Sequence, residues 1–208
     1  MRFADLDAVT LDAFGTLLTL IDPVPVLIES LRERGIEAQA EQVTEGFAAE
    51  GEYYKPRSLE GRGEESLARL RLDCTGVFLR AAGIHLDPAE FVDSYIEALR
   101  FELLPGAADA VASLRRRGLA LAVVGNWDMT LPDHLAQLGL GDLPVVTSAA
   151  VGAAKPDPAP FHVALDPLGV EPARALHIGN EEADELGAKA AGMHFACAPV
   201  SAALEGLK

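Results

Sequence analysis

An α/β fold, with a parallel sheet flanked by helices and a helical unit inserted into it, is predicted by three features of this 208-residue sequence. Short runs that are apolar on both faces alternate with helical patterns in the first 20 residues, and do so again after about Leu103. Strands buried on both sides and separated by helices belong to parallel sheets covered on each face. Residues 22–102 hold no strand-like run, and their apolar residues recur at helical spacing, as at Leu67, Leu70, Val77 and Ala81. The expected organisation is a core of 1–21 with 103–208 and an all-helical domain of 22–102.

Taken in order, the expected strands are Ala8–Leu11, Leu119–Val124, Leu143–Val146, Arg174–Ile178 and His194–Ala198. Helices are expected near 106–117, 129–138, 157–168 and 181–191. The first follows Pro105-Gly106 and ends in Arg115, Arg116, Arg117 and Gly118, cations that suit the negative end of the helix dipole and a glycine that suits a left-handed stop. Asp157-Pro158 reads as the N-cap and first residue of the third. No internal repeat interrupts this pattern.

Composition narrows the function. With 32 acidic against 17 basic side chains the formal charge is −15. Nucleic acid is therefore not an expected partner, because binding its backbone depends on clustered Lys and Arg. The longest stretch free of charged residues, Ala190 to Leu204, is too short and too broken to span a bilayer. Asp5 and Asp7 interrupt the start of the chain before any signal-like apolar run. Cys74 and Cys197 lack metal or redox spacing and read as two core thiols, which suits a reducing cytoplasm. Oligomeric state leaves no mark in the sequence.

In a parallel sheet ligands bind beyond the carboxyl ends of the strands, so the residues that follow each run are the candidates. They are Asp12, Asn126, Lys155, and Asn180 with Asp184. Alone, an Asp and Gly after a strand make a turn as readily as a site. In combination, Asp12-x-Phe-Gly-Thr16, Gly125-Asn126, Lys155-Pro156-Asp157 and Gly179-Asn180-x-x-x-Asp184 resemble the four ordered motifs of the haloacid dehalogenase superfamily. The helical insert falls between the first and second motifs, as does the small cap of that superfamily's subfamily I. The resemblance implies a Rossmann-like core with an inserted cap, in a hydrolase acting on a small anionic substrate.

Carried over residue by residue, the resemblance makes Asp12 the nucleophile, forming an aspartyl ester that water then hydrolyses. Its carboxyl is expected to stand exposed in a cleft with the Lys155 ammonium alongside to balance substrate charge. Thr16 hydrogen-bonds the substrate or steadies the nucleophile loop. Mg²⁺ is implied as cofactor, ligated by Asp12, the Phe14 carbonyl, Asn180 and Asp184. The superfamily's base rate makes the reaction a phosphatase reaction.

Three departures bear on that expectation. Phe14 stands where most phosphatases of the family carry the acid that protonates the leaving group, a loss typically worth about 10²–10⁴-fold. Substrates with good leaving groups are therefore favoured. Asn180 replaces an acidic metal ligand, which removes one negative charge and weakens the site for Mg²⁺; it also reads as the N-cap of a helix beginning near Glu181. Gly125 stands where a Ser or Thr normally binds the transferring group, leaving that work to backbone N–H groups and Asn126. Phe14 and Asn180 are similar to features of metal-independent 2-haloacid dehalogenases, but the arginine those enzymes carry early in the cap is missing from Thr44–Gly51. A weakened fold kept as a binding module is the third reading. Elsewhere, Lys55, Arg57 and Arg62 form a cationic island with Tyr53 beside it, in which Arg57 is the candidate for gripping a phosphate or carboxylate. Trp127 is a candidate pocket wall, and His177, inside a strand run, reads as structural.

Overall fold

The computed structural model describes residues 2–206. In chain order its main elements are β1 (Ala8–Leu11), β2 (Leu18–Leu20), α1 (Val24–Arg32), α2 (Ala40–Tyr54), α3 (Glu64–Ala81), α4 (Pro88–Ala98), β3 (Phe101–Leu103), α5 (Ala107–Arg116), β4 (Ala120–Gly125), α6 (Leu131–Gln137), β5 (Val145–Thr147), α7 (Ser148–Val151), α8 (Ala159–Leu165), β6 (Ala175–Gly179), α9 (Glu182–Ala190), β7 (His194–Cys197) and α10 (Val200–Glu205). They form two compact units, Met1–Thr19 with Glu102–Lys208, and Leu20–Phe101.

The first unit is the expected α/β core. Its five-stranded sheet runs β5-β4-β1-β6-β7, and each neighbouring pair is parallel. β1 and β6 are buried at every position, which places them in the middle of a sheet covered on both faces. On one face Phe161 and Leu165 of α8 and Ala188 of α9 close over Ala8, Val124 and Ala175 of the sheet. The chain builds outward from β1 to β4 and β5, then returns to lay β6 on the other side of β1. That reversal is a topological switch point, where two strand ends and their loops diverge and leave a crevice.

Several local expectations need correction. β2 and β3 pair in a separate two-stranded sheet. At three residues each they are too short to register as a periodic pattern, and Phe101 lies within the stretch expected to be purely helical. The N-cap of α8 is Pro158, one residue later than expected, although the Asp157 carboxylate accepts from the Ala159 N–H at 2.8 Å. Cys74 is buried, but Cys197 is exposed, because it ends an edge strand whose outer side no other strand covers. No helix among the described residues is long and apolar enough to cross a membrane.

The second unit packs α1 to α4 around Leu27, Leu31, Val43, Phe78, Phe91 and Tyr95. Phe78 stacks on Phe91 at 6.1 Å between ring centres and meets Tyr95 at 4.9 Å. α4 starts on an Asp87 cap whose carboxylate accepts from Ala89 N–H, followed by Pro88. Against this apolar interior lies Glu50, buried beside Tyr95 and Cys74; burial raises its carboxyl above the ordinary glutamate value, and those two polar neighbours only partly offset this. An acid whose folded value exceeds its unfolded one costs stability once both states are ionised, and that cost fades as pH falls through the folded value. Glu50→Gln is therefore expected to raise the melting temperature near pH 7 and to lose that advantage in acid, as calorimetry on both proteins would read.

Candidate active site

The crevice at the switch point gathers the strand ends of β1, β4 and β6. Asp12 follows β1 directly, and its N–H donates to the Ile178 carbonyl of β6 at 2.9 Å, which ties the two strand ends together. Lys155 reaches across from the loop before α8. Its ammonium donates to Asp12 Oδ1 at 2.5 Å, to Asp184 Oδ1 at 2.5 Å and to the Val124 carbonyl at 3.0 Å, so its three hydrogens are all used. The expected pairing of Asp12 with Lys155 is present, but the carboxyl is more enclosed than expected: Asp12 is 7% exposed and Lys155 6%.

Two carboxylates share one ammonium, and this sets their proton affinities. Burial pushes the Asp12 carboxyl up; Lys155 draws it back and the Asp184 charge pushes it up again, leaving it at about 6. Burial opposes the Lys155 charge, but the carboxylates of Asp12 and Asp184 outweigh it and hold the ammonium above its ordinary value. Asp184 is also buried, yet the His177 hydrogen bond and the Lys155 charge keep it ionised, below the usual carboxylate range.

The Asp184 carboxylate is fully engaged. Oδ1 faces Lys155 and, at 3.2 Å, His177 Nε2; Oδ2 accepts the backbone N–H groups of Asn180 and Glu181 at 3.1 and 3.0 Å. It can fold back this far only because residue 179 is glycine, since a Cβ there would run into the Asp184 carboxyl group. The N-cap of α9 is Glu181, not Asn180. Asn180 instead turns its side chain toward Asp12, over Gly15, whose positive φ of 77° and missing Cβ leave room for the amide.

The Asn180 amide is oriented by its neighbours. Turned so that each end of the amide meets a complementary partner, its nitrogen donates to the Phe14 carbonyl at 2.8 Å and to Asp12 Oδ2 and Thr16 Oγ1 at 3.1 Å each; turned the other way, its oxygen accepts from Thr16 Oγ1 at 3.1 Å. The reverse orientation would set the amide oxygen against a carboxylate and a carbonyl, acceptor against acceptor. Asp12 and the Phe14 carbonyl are among the groups that the sequence resemblance assigned to Mg²⁺, and in this orientation an N–H donor lies between them. With Asp184 committed elsewhere and that N–H among the oxygens, the residues present offer a divalent cation only one carboxylate oxygen and one carbonyl beside a donor, a poor fit to an ion that takes oxygen ligands. Among the described residues, no cluster of three His, Cys, Asp or Glu side chains could hold a metal ion. Asn180→Asp removes the donor and adds a charge, so the variant is expected to be stabilised by millimolar Mg²⁺ in a thermal-shift assay while the parent is not.

The remaining candidates divide. The Asn126 amide is spent on the backbone of Lys155, accepting its N–H at 2.8 Å and donating to its carbonyl at 3.0 Å, and so fixes the main chain that carries the lysine. At Gly125 a Cβ would lie 2.9 Å from Leu131 Cδ2, so a hydroxyl-bearing residue there requires that leucine side chain to shift. Phe14 is 46% exposed with its ring 6.4 Å from that of buried Trp127. Thr16 is buried against Asn180 and steadies the loop. Arg57 belongs to the helical unit, where its guanidinium lies 4.0 Å over the Tyr53 ring and donates to the Tyr53 carbonyl at 3.0 Å. Thr10 and His177 were not anticipated as neighbours of the site; the available signal was that each is a polar residue inside an otherwise apolar, fully buried strand.

The family model of haloacid dehalogenase-like hydrolases matches residues 6–192. The chain belongs to this family. It is 36% identical over 203 residues to haloacid dehalogenase-like hydrolase domain-containing protein 3 of Bos taurus, covering 89% of this chain and 78% of that protein. Among solved structures, L-2-haloacid dehalogenase from Xanthobacter autotrophicus with chloropropionic acid covalently bound is similar at a TM-score of 0.65 and 27% identity, over 91% of this chain and 76% of that one. The HAD phosphatase from Thermococcus onnurineus is similar at a TM-score of 0.57 and 26% identity, over 91% and 85%. Within this family of hydrolases, then, the relatives include both dehalogenases and phosphatases.

Proposed function

We propose that this hydrolase is a metal-independent dehalogenase of small 2-haloacids, working through a covalent ester on Asp12. The feature that carries the reading is the orientation of Asn180 that satisfies both ends of its amide, in which the nitrogen donates to Asp12 Oδ2 and the Phe14 carbonyl where a phosphatase of the family would hold its cation. With Asp12 and Asp184 ionised and one ammonium between them, the cluster is net negative and opposes the single charge of a 2-haloacid carboxylate less than the double charge of a phosphate dianion. Phe14 in place of a proton donor costs nothing when the leaving group is halide.

In the first step an Asp12 oxygen attacks the carbon bearing the halogen. A C–O bond forms as the carbon–halogen bond breaks, and halide leaves with the bonding pair. Water then attacks the ester carbonyl, releasing a 2-hydroxy acid, a proton and the restored carboxylate. Whichever oxygen attacks, the other keeps a donor that stabilises the oxyanion of this second step: Lys155 stands at Oδ1 and Asn180 at Oδ2. The similarity to a dehalogenase with chloropropionic acid covalently bound supports this order of events.

A second reading, a phosphatase acting on a substrate with a good leaving group, is favoured by the similarity to the Thermococcus onnurineus phosphatase. One assay separates the two. Halide release from chloro- and bromo-acids, unchanged by EDTA, is the expected result. No halide release, together with nitrophenyl phosphate turnover that requires Mg²⁺, would overturn it. Because only ionised Asp12 attacks, halide release is further expected to fall as pH drops through about 6, read from a kcat/KM profile.

A further inference from the structure

We propose that Thr10 and His177 are positioning residues: through Asp184 they hold Lys155 against the nucleophile. The inference rests on the reading of Asp12 as nucleophile. Thr10 in β1 and His177 in β6 are direct partners across the parallel register, and both are fully buried. The Thr10 hydroxyl lies 2.8 Å from His177 Nδ1, and His177 Nε2 lies 3.2 Å from Asp184 Oδ1. From the same Asp184 oxygen the chain continues to Lys155 at 2.5 Å and on to Asp12 at 2.5 Å. Four side chains therefore link the middle of the sheet to the nucleophile.

The directions of these bonds follow from the chemistry of the groups. An ionised carboxylate only accepts, so His177 donates through Nε2; Nδ1 must then accept, and the Thr10 hydroxyl donates to it. Fully buried between a hydroxyl and a carboxylate, the imidazole serves as a fixed N–H donor. The edge of Phe161, 4.8 Å away and nearly perpendicular, keeps the ring from turning.

This arrangement governs how Lys155 divides itself. Asp184 Oδ2 is anchored by two backbone N–H groups, while Oδ1 is shared by Lys155 and His177. The His177 N–H meets part of the demand of Oδ1 for donors, and so leaves the ammonium centred between two carboxylates. Without that donor the lysine is drawn toward Asp184 and away from Asp12. Displacement of a reacting group by about 1 Å is enough to cost on the order of 10²-fold in rate. A purely structural role would predict otherwise, since two buried polar groups in a sheet centre could be exchanged for apolar ones of similar shape without loss at the active site.

The test compares the full chain with His177→Leu, His177→Gln, Thr10→Val and Thr10→Ser, using a substrate whose turnover Asp12→Asn abolishes. His177→Leu is expected to lower kcat by roughly 30–100-fold with KM little changed. His177→Gln, whose amide nitrogen reaches toward the place of Nε2, is expected to restore much of the loss, and Thr10→Ser to exceed Thr10→Val. Equal kcat for parent and His177→Leu, or an effect on KM alone, would overturn the proposal while leaving the hydrolase reading intact. Nitrogen-15 NMR of the parent gives an answer that does not depend on turnover. A neutral imidazole protonated at Nε2 is expected, and protonation at Nδ1 would overturn the relay even if the substitutions prevent folding. Absence of any Asp12-dependent turnover with the expected tautomer intact would instead count against the assigned reaction.

Discussion

Lys155→Met is expected to destabilise the core by about 3–5 kcal/mol, the cost of leaving buried charge without its partner. All three ammonium hydrogens are used at distances of 2.5 to 3.0 Å, and both Asp12 and Asp184 depend on them. In the variant the two carboxylates face each other without an intervening cation, and one of them takes up a proton. Because Asp184 retains His177 and two backbone N–H groups, the proton goes to Asp12. Activity is then lost even in molecules that fold. Chemical denaturation and halide release on one preparation measure both effects, and an unchanged midpoint would contradict the geometry.

Asp12→Asn is expected to separate stability from activity in the opposite way. Turnover falls to background, since an amide cannot form the ester. Stability rises, because the Asp12 carboxyl is pushed from 3.8 to about 6 in the folded state, mainly by burial. An acid with a raised folded value costs stability at neutral pH, so removing its charge recovers up to about 3 kcal/mol. The remaining Lys155–Asp184 pair is electrically balanced. A variant both inactive and more heat-resistant than the parent is the expected outcome, and the gain should shrink as pH falls below the Asp12 value. Such a trade between stability and function is characteristic of sites that hold unfavourable charge for chemical reasons.

The core sheet could be read from the sequence because its strands are apolar on both faces, and Asp12 and Lys155 because chemistry in such a sheet sits at strand ends. The side-chain directions that decide the chemistry were less legible. On sequence alone Asn180 reads as a metal ligand or as a helix cap. Only the register of β6 against β1, together with the space over Gly15, brings its amide to Asp12 Oδ2, where the surrounding acceptors favour the nitrogen. Asn126 could not be seen to spend both ends of its amide on Lys155, since the two residues lie 29 positions apart. A lone His in an apolar run reads as packing; its link to Asp184 depends on α9 folding back over Gly179. Arg57, chosen for its charge, is held against its own helical neighbour Tyr53. β2 and β3 gain their pairing from the point where the chain leaves and rejoins the core, which no local pattern of three residues encodes.

The most direct test follows the oxygen atoms. The protein turns over a 2-haloacid in water labelled with heavy oxygen, with EDTA present, and the peptide carrying Asp12 is then weighed. Attack by Asp12 followed by hydrolysis at the ester carbonyl deposits solvent oxygen in the aspartate, so the peptide gains mass. Product formed with label in the hydroxy acid from the first turnover, and none in Asp12, would mean that water attacks the substrate directly and would contradict the account.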